Sequence, residues 1–155
     1  MTVEFERITR IAATPRAAFD ASCDIELHLD SMRSSGERAV AGVTSGRIGP
    51  GEQVTWSARH FGVRFRMTSR ITAYDRPHRF VDEQLRGPFA VFRHEHRFEP
   101  ADGGTVMRDH VRFRAPFGPL GRLVEPVLRR HLVQLIDQRN QYVATAAERA
   151  AGDRA

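Results

Sequence analysis

From residue 63 to residue 72 the chain alternates without a break. Val63, Phe65, Met67, Ser69 and Ile71 share one parity; Arg64, Arg66, Thr68, Arg70 and Thr72 share the other. A period of two marks a strand with one face in the core and one in water. A sheet of such strands must have its apolar face covered by another layer. The rest of the chain supplies both the strands and the cover. Residues 3–11 read as a first strand and 37–45 as a weak one. Further strands are expected over 52–60, 63–74, 79–86, 89–99 and 105–115, broken by Phe61-Gly62, Asp75–His78, Gly87-Pro88-Phe89 and Asp102-Gly103-Gly104. Thr14 as a cap, with Pro15 at the first helical position, predicts a short helix to Ser22. Asp24 caps a second one ending near Met32.

The end of the chain changes period. Leu120, Leu123, Val124, Val127, Leu128, Leu132, Leu135, Ile136, Tyr142, Val143 and Ala146 recur at helical spacing. Pro126 interrupts the pattern. A helical turn over 119–125 and a main helix from 126 to 149 follow, with residues 150–155 as a frayed tail. The fold class is α+β: one domain over 1–149, a curved antiparallel sheet wrapped around a long C-terminal helix.

Composition narrows the function classes. The net charge is +5, yet all 24 basic residues are arginine and they are spread through every segment. Such scatter reads as a solvated surface, and no nucleic-acid partner is expected. The lysine-free composition is read as the mark of a GC-rich genome. No apolar run approaches the roughly 20 residues of a membrane span, so no membrane insertion is expected. The first residues lack an apolar signal core, which points to a cytoplasmic protein. The single cysteine, Cys23, excludes an internal disulfide and a multi-cysteine zinc site, and is read as a buried, inert thiol. Ser57 and Ser69 lack a nucleophile motif. A monomer or homodimer is expected.

Strand pairing assigns the faces. A tight turn at Asp102-Gly103 sets Phe98 opposite Met107, His96 opposite Asp109, His94 opposite Val111 and Phe92 opposite Phe113. A one-residue slip would set these against arginines, so parity fixes the register. The same reasoning pairs Trp56 with Met67, Ile71 with Asp82 and Ser69 with Gln84, and sets Asp82 opposite His94. The expected concave face carries Trp56, Phe65, Met67, Phe80, Phe92, Phe98, Met107 and Phe113, interrupted by Asp82, Gln84, His94, His96 and Asp109. The outer face carries Arg64, Arg66, Arg70, Arg93, Arg97, Arg108 and Arg112, with Glu95 among them. Arg93 then opposes Arg112 and Arg97 opposes Arg108, which is unfavourable unless Glu95 relieves them.

This element order resembles the START-like helix-grip superfamily, also called SRPBCC, over nearly the whole chain. The carriers are ATPRAAFD after the first strand, the run from GEQVTWSARHFGVRF to GPFAVFRHEHRFEP, and GGTVMRDHVRFRAPFGPLGRL before the last helix. It is most similar to the polyketide cyclase/dehydrase or ligand-binding branch. The resemblance implies a cavity between sheet and helix, in a superfamily of lipid carriers, hormone receptors and cyclases. Fold alone does not choose among them.

An apolar pocket with a few polar groups suits a hydrophobic small-molecule partner: a polyketide, lipid, quinone or aromatic metabolite. The alternative is a cyclase or dehydratase using His94 or His96 with Asp82 or Asp109 as an acid–base pair. A metal would need both histidines and one of those aspartates, but the spacing of the next glutamate and glycine departs from the cupin pattern. Neither a metal nor another cofactor is expected.

Overall fold

The computed structural model describes residues 1–154. Its elements follow the expected order: β1 (Val3–Ile11), α1 (Pro15–Ser22), α2 (Ile25–Ser31), β2 (Arg38–Gly42), β3 (Gln53–His60), β4 (Val63–Asp75), β5 (Arg79–Arg86), β6 (Val91–Ala101), β7 (Gly104–Arg114), α3 (Gly118–Arg122) and α4 (Glu125–Gly152). Thr14 and Asp24 cap α1 and α2, each side chain accepting a hydrogen bond from the backbone N–H three residues on. α4 extends to Gly152, three residues past the expected end.

The seven strands form one antiparallel sheet in the order β1-β7-β6-β5-β4-β3-β2. This is the helix-grip fold. Its register is the one that parity requires: His96 faces Asp109, His94 faces Val111 and also Asp82, and Trp56 faces Met67. Irregularities in β4 between Thr68 and Ser69, and between Ile71 and Ala73, bend the strand. The second also shifts the parity. Strict alternation would send Tyr74 outward. It instead pairs with Phe80 and meets Phe19 edge-on at 5.2 Å.

Two apolar clusters hold the layers together. Phe19 of α1, fully buried, makes edge contacts with Phe80 and Phe98 at 5.3 Å each. Burying one such ring stabilises by about 1.5–3 kcal/mol, and each aromatic contact adds roughly 0.5–1.5 kcal/mol. The second cluster joins Phe5, Phe92, Val111 and Phe113 to Leu132 and Ile136 of α4. α4 packs on β1, α1 and α2, and so stands away from the far half of the sheet. The gap between them is the cavity described below. The apolar residues at and before the start of this helix are correspondingly uncovered: Leu120 of α3, Leu123 after it and Val127 of α4 are 73%, 78% and 58% exposed at the cavity's end of the molecule.

On the convex face Glu95 is buried beneath Arg79, Arg93 and Arg97, all of which bond its carboxylate. Burial alone would raise its pKa. The hydrogen bonds from Arg79, Arg97 and Arg93 win, and hold it at about 2. Arg108 is shared by Glu6 and Glu99, and Arg112 lies near Glu4. The opposed arginines are thus neutralised in place.

Candidate functional site

The space between β3–β6 and α4 is a cavity of about 600 Å³. Trp56, Phe65, Met67, Phe80 and Phe92 line it as expected. Other expected wall residues do not. Phe98 and Met107 lie under α1, where Phe19 and Ser22 cover them, and Phe113 lies under Leu132 and Ile136. These inward side chains meet a helix rather than open space. Gln84 also turns away. Its amide donates to the Phe89 carbonyl at 2.8 Å and accepts from the Phe89 N–H at 3.2 Å. Gly87 makes that clamp possible, since a Cβ there would collide with the Gln84 side chain. Gln84 therefore shapes the β5–β6 loop, which presents Pro88 and Phe89 to the cavity.

The polar floor is a connected network. His94 Nε2 lies 2.8 Å from Asp109 Oδ1, and His96 Nε2 lies 3.0 Å from Asp82 Oδ2. His96 Nδ1 is 2.9 Å from the same Asp109 Oδ1, without the alignment of a hydrogen bond. The two imidazoles stack with centroids 3.8 Å apart, and His96 also stacks on Phe80 at 4.1 Å. Asp109 has no solvent exposure and does not reach the cavity wall; it holds the histidines from behind. Asp82, His94 and His96 do line the cavity.

Two residues that local pattern alone did not single out complete this floor. Asn140 of α4 donates to Asp109 Oδ2 at 2.7 Å. Arg139 donates to Asn140 and to the Ser22 carbonyl, and lies 3.8 Å from Asp109 while lining the cavity. A signal for both was present. They fall on the buried face of α4, between Ile136 and Val143, where a polar residue needs a partner.

Burial would raise both carboxyl pKa values. The histidine contacts prevail, and hold Asp82 below and Asp109 well below the ordinary 3.8. His94 is held below 6.5 by burial and by His96, against the opposing pull of Asp109. An ionised Asp109 can only accept, so Nε2 of His94 carries the proton. The Nδ1 of His94 meets no hydrogen-bond partner among the described residues and stays open on the cavity side. Ser69 Oγ, also in the cavity wall, has no partner among them either. Cys23 is buried in the wall, and desolvation pushes its thiol up to about 12, consistent with an inert cysteine.

At the mouth His60 of β3 and His131 of α4 meet at 2.9 Å, with Phe61 against His131. Among the described residues this is the one side-chain hydrogen bond from α4 to β2–β5. No helix there is long and apolar enough to cross a membrane.

The chain belongs to the polyketide cyclase / dehydrase and lipid transport family, whose model matches residues 2–148. Solved structures share its fold. The Zhui aromatase/cyclase from Streptomyces sp. R1128 is 16% identical, with a TM-score of 0.78 over 97% of this chain and 96% of that one. TTHA0849 from Thermus thermophilus is 18% identical, with a TM-score of 0.75 over 97% and 99% of the two chains. The di-domain ARO/CYC StfQ from the steffimycin biosynthetic pathway is 15% identical, with a TM-score of 0.76; 97% of this chain aligns to 52% of that one. No curated protein sequence matches the chain.

Proposed function

We propose that this protein binds a hydrophobic small molecule, such as a polyketide, lipid, quinone or aromatic metabolite, between its sheet and α4. The observation that carries the reading is the cavity of about 600 Å³, apolar in its walls and polar at one floor. That volume suits a ligand of drug-like or larger size. Aromatic walls supply affinity without direction. Arg139 and the unpartnered Ser69 hydroxyl can donate to ligand oxygens, and His94 Nδ1 can accept from a ligand hydroxyl. Native mass spectrometry of the chain purified from its host tests this: a non-covalent organic adduct released on activation is expected. A bare chain, with no one-to-one binding across apolar aromatics and fatty acids, would overturn it.

A cyclase or dehydratase is the second reading, supported by family membership and by the open Nδ1 of His94. In it Nδ1 takes a proton from the carbon beside a ligand carbonyl. The imidazolium then protonates a departing hydroxyl, which leaves as water. Asp109 positions the ring and balances its charge. Loss of turnover of an identified substrate in folded His94→Gln, with binding kept, supports this reading; full turnover rejects it.

A further inference from the structure

We propose that Asp82, His94 and His96 form a divalent-cation site on the cavity floor, with Asp109 as the carboxylate that orients the His94 imidazole. Each of the three offers a donor atom, and these atoms lie within 4.8 Å of one another. The second observation is Asp109. Its Oδ1 is 2.8 Å from Nε2 of His94 and 2.9 Å from Nδ1 of His96. It takes the hydrogen bond of His94 Nε2 and so leaves His94 Nδ1 for an ion, while His96 Nε2, 3.0 Å from Asp82 Oδ2, stands where one ion would bind both in place of their hydrogen bond. A carboxylate behind a ligating histidine is the usual support of a metal site, fixing tautomer and ring direction, and His94 has one. Asn140 Nδ2, 2.7 Å from Oδ2, fixes that carboxylate in turn.

The spacing is close to what an ion requires. In a tetrahedral site with bonds of about 2.0–2.1 Å, neighbouring donors stand about 3.3 Å apart. Asp82 Oδ2 and His96 Nε2 already stand 3.0 Å apart. Charge favours a cation too. Two buried or half-buried carboxylates face one guanidinium, that of Arg139, so the floor carries more anionic than fixed cationic charge. Two imidazoles and one carboxylate suit zinc, cobalt or iron(II) better than magnesium or calcium. The cavity leaves further positions open, which ligand oxygens such as a 1,3-dicarbonyl or a catechol could fill.

An ion would take the lone pair that the proton-transfer reading gives to His94, so the two exclude each other there. Binding of a hydrophobic ligand stands under both, and the test needs no organic ligand. Chelator-stripped protein is titrated with Co²⁺, followed by visible absorption, and the bound metal is counted after desalting. One Co²⁺ per chain is expected, with the intense bands of a four- or five-coordinate ion, and Zn²⁺ should displace it. Folded Asp82→Asn and His94→Asn should each weaken binding at least about tenfold, and Asp109→Asn about 10–100-fold. His60→Ala, which removes the histidine pair at the mouth as a competing site, should leave the spectrum intact. If the wild-type chain takes up no stoichiometric Co²⁺ or Zn²⁺ at micromolar concentration, there is no site. If binding survives in folded His94→Asn, or vanishes in folded His60→Ala, the ion lies elsewhere. Either result overturns the proposal.

Discussion

The carboxylate of Asp109, wholly removed from solvent, accepts a 2.8 Å hydrogen bond from Nε2 of His94. The same carboxylate receives Asn140 of α4, so one side chain ties β6, β7 and the long helix together. Asp109→Asn keeps the shape but sets an amide N–H or a neutral oxygen against partners built for an anion. It also leaves Arg139 short of a counter-charge. Truncating one member of a buried charged pair costs about 3–5 kcal/mol, and a loss of that order is expected from urea denaturation. A loss below about 1 kcal/mol would show that the network adds little to stability.

Glu95 predicts a distinct acid limb on the other face of the sheet. Its pKa is about 2 in the fold against an ordinary value of 4.5. A depressed carboxyl stabilises the fold above the unfolded value, and that contribution fades as pH falls from about 4.5 towards about 2. Glu95→Gln should therefore be less stable at pH 7 and flatter across that window. Parallel acid-denaturation curves for the two proteins would refute the assignment.

His60 and His131 predict that closure of the mouth depends on pH. Burial holds both below 6.5, and His60 lowers His131 further. Protonation is thus favoured when the pair is apart and hydrated. The closed state keeps its full advantage above about 6.5 and loses it as pH falls below that value. Release of a bound fluorophore should quicken between about pH 6.5 and about pH 5, and His131→Ala should be fast throughout. A release rate independent of pH in the wild-type chain would remove this role.

Ser69 tests whether the cavity recognises an oxygen. Its buried hydroxyl has no hydrogen-bond partner among the described residues. Ser69→Ala should leave the unliganded chain as stable or up to about 1 kcal/mol more so, because an unsatisfied donor is removed. Affinity for an oxygen-bearing ligand should fall by about 0.5–1.5 kcal/mol, measured by calorimetry. Unchanged affinity would place the ligand away from Ser69.

Much of this arrangement was legible in the chain. Alternation through FRHEHRF sends His94 and His96 to one face and Glu95 to the other, and a tight turn before residue 104 sets His96 opposite Asp109. Parity gives a face but not a depth. Phe98, Met107 and Phe113 point inward as expected, yet α1 and α4 cover them, and only helix placement decides which inward residues see the cavity. Arg139 and Asn140 escape for a related reason. Their partners, Ser22, Thr9 and Asp109, lie far away in sequence, so no local period marks the contact. Alternation also misses the inward course of Tyr74, because an irregularity in β4 leaves no strong signature in the residues themselves.

Trp56, the chain's single tryptophan, lies in the cavity wall against His28 with ring centroids 4.2 Å apart, and so reports directly on occupancy. The most direct test of the central claim is a titration with 1-anilinonaphthalene-8-sulfonate, exciting Trp56 and reading transfer to the bound dye. It is run on the wild-type chain and on Ala58→Phe, which projects a ring into the same space from β3. One saturable site with energy transfer in the wild type, weakened at least about tenfold in the folded variant, is the predicted result. No saturable binding, or equal binding by both proteins, would contradict a ligand cavity between the sheet and α4.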